Sequence, residues 1–111
     1  MNLELLREYC LSKPNTEEGL PFGPDTLVFK RNGKIFLITG FDEPLKINVK
    51  CNPEQAVLLR ETYNAVLPGY HMNKMHWNTI ILDGSIPKKI LCSFIDQSYD
   101  LVGPKPKKKK V

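Results

Sequence analysis

Apolar positions in this chain switch between helical and strand spacing, and the switches divide it into elements. Residues 3–12 put Leu3, Leu6 and Cys10 on one stripe with Leu11 beside it, the spacing of a helix with one buried face. Asn2 can cap this helix, Glu4 suits its first turn, and Pro14 ends it. Residues 15–25 are rich in Pro, Gly and acid and read as a loop. The runs 26–30 and 34–39 favour strands, and Arg31-Asn32-Gly33 between them gives a strong hairpin signal. A second turn falls at Asp42-Glu43-Pro44. The next run alternates cleanly: Lys46, Asn48 and Lys50 face one way, and Ile47, Val49 and Cys51 the other. A period of two with opposite polarity predicts a strand with one packed and one wet face.

Asn52-Pro53-Glu54-Gln55 marks a second helix start, with Asn52 as cap, Pro53 in the first turn and Gln55 placed for a capping box. Ala56, Leu59 and Tyr63 share a stripe, which leaves Arg60 and Glu61 to face water. The helix is expected to end near Asn64, and Pro68-Gly69 breaks the chain again. Residues 70–72 and 77–82 predict a second hairpin around Asn73-Lys74-Met75-His76, closed by Asp83-Gly84. Beyond Ser85 and Pro87, the apolar positions Ile86, Ile90, Leu91, Phe94, Ile95 and Leu101 predict a last helix to about residue 102, stopped by Gly103-Pro104. The predicted class is α+β: a two-layer antiparallel sheet with helices on one face, in the order α-β(3)-α-β(2)-α. The other sheet face is expected to stay at least partly open.

At 111 residues with 41% hydrophobic content, the chain fits one soluble domain, assigned to residues 1–103. Apolar runs such as Ile35-Phe36-Leu37-Ile38 are far shorter than a membrane span. Met1-Asn2-Leu3-Glu4 does not resemble a signal peptide, so no membrane association and a cytoplasmic location are expected. Cys10, Cys51 and Cys92 have no Cys-x-x-Cys spacing and read as buried, reduced thiols. The net charge is +4, but Lys105, Lys107, Lys108, Lys109 and Lys110 lie in a tail, residues 104–111, that is expected to be disordered. Taking those five from the total leaves the remainder at −1, so broad polyanion affinity belongs to the tail and only a local basic stripe can belong to the domain.

The run Pro68-Gly69-Tyr70-His71-Met72-Asn73-Lys74-Met75-His76-Trp77-Asn78-Thr79 concentrates the chemistry. It holds both histidines and the single tryptophan, with Asn73 and Lys74 between them. His71 and His76 lack an upstream cysteine pair at zinc-finger distance, so a metal site would need Cys51 or Asp83 to complete it in space. Cys51 or Ser85 with a histidine lacks a nucleophile elbow or an oxyanion-hole turn, and no phosphate loop or dinucleotide fingerprint occurs. No cofactor and no enzymatic activity are therefore expected. A binding face has more support. Lys46, Asn48 and Lys50 share one side of a strand, Arg31 and Lys34 flank the first hairpin turn, and Lys74 sits with His71, Asn73, His76 and Trp77 at the second. Lysine and arginine contact phosphates, asparagine reads base edges, and an exposed tryptophan stacks. Alternating lysines are also the usual solvated side of a half-open sheet, and a tryptophan such as Trp77 is more often a core residue than a stacking platform.

Several motifs carry a family resemblance: Leu6-Arg7-Glu8-Tyr9-Cys10, Pro21-Phe22-Gly23-Pro24-Asp25-Thr26-Leu27-Val28-Phe29-Lys30, Gly33-Lys34 before Ile35-Phe36, Asn48-Val49-Lys50-Cys51 and Pro53-Glu54. To these add the run 68–79, Leu82-Asp83-Gly84-Ser85 and Ile95-Asp96-Gln97-Ser98-Tyr99. Over residues 1–102 the chain resembles the MmcQ/YjbR family of small, mostly bacterial proteins. The resemblance implies the order α-β(3)-α-β(2)-α, described for the family as a double wing. It also implies a DNA-binding role, by the family's likeness to the double-wing domain of a phage transcription factor, and no catalytic site. DNA is thus the expected partner, with a protein or peptide partner, or a second copy of the chain, as the alternative.

Overall fold

The computed structural model describes residues 1–69 and 72–104. Its elements follow the order α1 (Leu3–Leu11), β1 (Thr16–Gly19), β2 (Leu27–Arg31), β3 (Lys34–Thr39), β4 (Lys46–Lys50), α2 (Pro53–Thr62), β5 (Val66–Pro68), β6 (Trp77–Ile81) and α3 (Lys88–Leu101). The strands form one sheet, ordered β1-β2-β3-β4-β6-β5, with every neighbouring pair antiparallel. The α+β class and the helix–strands–helix–strands–helix order match the sequence reading.

Local chemistry sets the element ends. The Asn2 side chain accepts from the Leu5 N–H and the Asn52 side chain from the Glu54 N–H, so α1 and α2 each have one otherwise orphaned donor satisfied, whereas α3 starts at Pro87 without a side-chain cap. Between β2 and β3, Asn32 (φ 49°) and Gly33 (φ 82°) both take positive φ, the backbone of a two-residue hairpin turn. Two strands lie where none was expected: β5 forms at Val66–Pro68, ahead of the strand expected over 70–72 and reaching into the predicted Pro68-Gly69 break, and β1 falls in a stretch that reads as a loop. Residues 16–19 are β1, an edge strand whose polar sequence carries no apolar alternation. Pairing with β2 and the Asn32 N–H donating to the Asn15 carbonyl hold it in place.

The core lies between the sheet and the helices. Leu27 and Phe29 of β2, Leu37 of β3, Ile47 and Val49 of β4, Val66 of β5 and Ile80 of β6 join Leu6 and Cys10 of α1 and Leu91, Phe94, Ile95 and Tyr99 of α3 in one buried cluster. Leu59 and Tyr63 pack against it from α2 and its C-terminal end. All three helices therefore bury their stripes on the same side of the sheet. A bulge at Phe36, opposite the Phe29/Lys30 step, leaves the β3–β4 ladder ending at Leu37 and Val49. Ser98 of α3 fills the gap: its Oγ donates to the Phe36 carbonyl and accepts from the Lys50 N–H at 2.8 Å. Among the described residues no helix is long and apolar enough to cross a membrane.

Candidate nucleic-acid interface

Residues that alternate with the core positions define the helix-free face. One row crosses four strands, from Ile38 through Asn48 and Thr79 to Leu67. Lys46 stands opposite Ile81 and Lys50 opposite Trp77, so the two lysines bracket this row along β4. Among the described residues, no Asp or Glu occupies this face on β3, β4, β5 or β6. On β1, Glu17 stands opposite Lys30. Val28 faces the same way as Ile38 yet is fully buried, so the open area is centred on β4 and β6 rather than on β2.

Trp77 is half-buried and held by its backbone on several sides. Its N–H donates to the Asn73 carbonyl at 3.0 Å, and its carbonyl accepts from the Gly69 N–H at 3.0 Å. Gly69 lies so close that a Cβ there would sit 3.0 Å from the Trp77 Cβ, a tighter contact than side chains usually make. The connection before β6 is equally fixed. Asn73 accepts from the Met75 N–H through its side chain and from the His76 N–H through its carbonyl, and the His76 carbonyl accepts from the Cys51 N–H at 2.7 Å. Arg60 clamps this connection from α2, donating to the carbonyls of Lys74 and Trp77 and, through Nε, to Asn78 Oδ1 at 2.6 Å.

The structure sorts the residues singled out from the sequence. Lys46, Asn48, Lys50 and Trp77 come together on the helix-free face, with Asn73, Lys74 and His76 on the connection that leads into it. Arg31 and Lys34 do not join them. Arg31 points to the helix side, where its guanidinium lies 4.0 Å from the Tyr99 ring centroid and donates to the Tyr99 carbonyl. Lys34, opposite Arg31 in the ladder, is exposed on that same side. Asn48 is already engaged, since its Oδ1 accepts from Thr79 Oγ1 at 2.6 Å and its Nδ2 donates to the Ile38 carbonyl at 3.4 Å. Lys46 lies beside acids, lining with Asp42, Glu43, Pro44, Gly40 and Asn48 a groove of about 310 Å³. His71 and the tail lysines lie outside the described residues.

Arg60, which its helix stripe leaves to face water, is instead half-buried and bonded to the connection before β6. The clue was Asn78, a polar residue at the core-facing position between Trp77 and Thr79. A buried amide needs partners. It finds them in Arg60 and in the Ala56 carbonyl, to which its Nδ2 donates at 3.3 Å. Cys10 and Cys51 are buried packing groups as expected, whereas Cys92, on the flank of α3, is only half-buried. Burial pushes Cys10 up to about 12 and also raises Cys51, so neither is an activated thiolate near neutrality. On α3, burial pushes the Asp96 carboxyl up, but hydrogen bonds from Lys13 and Tyr9 outweigh it and hold the group below the usual carboxylate range. The Lys13 ammonium also lies 5.0 Å and 5.1 Å from the Tyr9 and Tyr99 ring centroids, so this network ties α1 to α3.

Comparison with known proteins places the chain. The YjbR family matches residues 11–101. The uncharacterised protein YbdF of Escherichia coli O157:H7 is 36% identical over 100 residues, covering 89% of this chain and 82% of that one. The uncharacterised protein YjbR of E. coli K12 is 32% identical over 100 residues, covering 89% and 85%. Among solved structures, a Deinococcus radiodurans protein superposes with a TM-score of 0.85 at 35% identity, covering 91% of this chain and 78% of that one. A Pseudomonas syringae protein gives 0.79 at 30% identity, covering 91% and 98%. With the matched stretch spanning most of the chain and the same fold in these relatives, this chain belongs to the YjbR family.

Proposed function

We propose that this domain binds nucleic acid, with DNA as the partner, through the helix-free sheet face, and has no catalytic step of its own. The observation that carries this reading is the placement of Lys46, Lys50 and Trp77 on one face whose β3–β6 positions hold no acid among the described residues. Phosphates supply most nucleic-acid affinity, and a cation facing an open, acid-free surface is available to them. With Arg31 turned to the helix side and Lys46 beside Asp42 and Glu43, the cationic centre narrows to the Lys50 end. Few phosphates are then neutralised, so binding is modest and only shallowly dependent on salt.

The test is fluorescence anisotropy of labelled duplex and single-stranded DNA against salt, with the full chain and with a variant whose five tail lysines are serine. The proposal expects the tail variant to retain measurable, salt-sensitive binding to at least one of these DNAs. Loss of all binding at low salt would assign the signal to the tail.

A protein partner is the second reading. Leu20, Phe22 and Phe41 are 49%, 64% and 45% exposed, and Leu20 and Phe41 line a groove with Leu3, Arg7, Glu18 and Leu27 beside the edge strand β1. Exposed apolar clusters of this kind favour protein contacts. Light scattering and pull-down test this reading, and a strict monomer without an enriched partner counts against it.

A further inference from the structure

Building on the nucleic-acid reading, we infer that the ligand of this face is an unpaired strand, one base of which stacks on the Trp77 indole while flanking phosphates meet Lys50 and Lys46. Three observations converge on it.

The first is what the face cannot do. Base-edge reading needs free donors and acceptors. The polar pair at the centre of the face, Asn48 and Thr79, is oriented by bonds within the sheet and not towards a ligand: Thr79 Oγ1 donates to Asn48 Oδ1, and the Asn48 amide donates to the Ile38 carbonyl. The rest of that row, Ile38 and Leu67, is apolar. A surface of this kind offers contact area without a hydrogen-bond code.

The second is the placement of the ring. Trp77 stands directly across the ladder from Lys50, so an aromatic face and an ammonium occupy adjacent strand positions. Base stacking on an aromatic with a neighbouring backbone cation is the arrangement by which single strands are held without sequence preference. Bases inside a duplex are stacked on each other and present no face to the indole.

The third is rigidity. Gly69 packs against the Trp77 Cβ, and the Trp77 N–H and carbonyl are both bonded, the carbonyl to Gly69 and Arg60. Lys50 is fixed at its own N–H by Ser98. Ring and ammonium are thus carried on backbone positioned before a ligand arrives, which lowers the ordering cost of binding. Lys46 and Lys50 are four residues apart on one strand, roughly 13 Å at the usual strand rise of about 3.3 Å per residue, so together they contact separate phosphates of one strand.

The chain supplies its own probe, because Trp77 is its single tryptophan. The experiment follows indole emission and anisotropy together, using the full-length chain with its five tail lysines changed to serine. A twelve-nucleotide oligo-thymidine is compared with a duplex of equal length. The expected result is quenching of Trp77 emission by the single strand, about tenfold weaker duplex binding, and a log–log salt slope near roughly −1.4 for two phosphates at about −0.7 each. Trp77→Leu loses about tenfold in single-strand affinity, whereas Trp77→Phe keeps most of it. Lys50→Gln weakens binding several-fold, whereas Lys88→Gln with Lys89→Gln, which remove charge from the helix side, leaves it unchanged. A duplex that binds as tightly as the single strand, or single-strand binding without a change in indole emission, overturns the inference and leaves the nucleic-acid reading standing. Absence of binding to either DNA overturns both.

Discussion

The two faces of the sheet use similar side chains to opposite ends. On the helix side, polar groups are consumed. Arg60 and Asn78 bind each other and nearby carbonyls, Arg31 lies on Tyr99, Ser98 bridges β3 and β4, and Lys13 and Asp96 tie α1 to α3. On the helix-free side, Lys46 and Lys50 stand on a ladder whose other members are Ile38, Asn48, Thr79, Ile81, Leu67 and Trp77. A cation that satisfies a carbonyl or carboxylate of its own chain is architecture. One left on an open surface away from acids, as Lys50 is, can serve a ligand. The count of lysines and arginines does not distinguish the two; the faces do.

The most severe way to break this contrast is to empty the covered side. Phe36 is fully buried, with its ring 6.4 Å from Phe29 and 5.4 Å from Tyr99 between centroids. Phe36→Ala is expected to cost about 3–5 kcal/mol of unfolding free energy, read from the urea midpoint. The polar part of that side comes next. Asn78→Ala strips a partner from Arg60 Nε and from the Ala56 carbonyl, and should cost about 2–3 kcal/mol. Asn78→Ala behaving like a surface substitution would mean that the polar groups of this layer are not structural.

The sequence made the helix stripes, the Asn32-Gly33 turn and the alternation of β4 legible, because each is written in residues close together along the chain. What it hid depends on partners far apart. β1 has no apolar alternation and exists through pairing with β2. Arg31 flanks the predicted turn like Lys34, but only the packing of α3 against β3 shows that Tyr99 waits for it. Asn48 was correctly placed on the wet face, yet its engagement with Thr79 depends on the β4–β6 register, which no local pattern reveals. Trp77 was a core residue or a platform by sequence; the ladder puts it opposite Lys50 on the helix-free side.

Acid sharpens the comparison more gently. Because hydrogen bonds from Lys13 and Tyr9 hold the Asp96 carboxyl low, the ionised form is the one that folding favours. Its contribution is complete above the ordinary carboxylate value of about 3.9 and is lost as pH falls through the lower folded value. The Asp96 side chain is 46% exposed, so the loss should be no more than about 1 kcal/mol. Unfolding curves of the parent and Asp96→Asn between pH 7 and pH 2 check this, with the difference between them shrinking only at the acid end. The smallest stability effect belongs to the open side: Lys46→Gln and Lys50→Gln should change unfolding free energy by less than about 0.5 kcal/mol. Either lysine costing as much as Asn78 would place it in the architecture.

The decisive measurement is a titration of the isotope-labelled chain, tail lysines replaced by serine, with single-stranded DNA, read residue by residue from amide and indole NMR shifts. The account predicts that the largest changes fall on β4 and β6, at Lys50, the Trp77 indole and Thr79, while α2 and α3 stay still. Changes centred on the helices or on the groove beside β1, or none at all at saturating DNA, would contradict it.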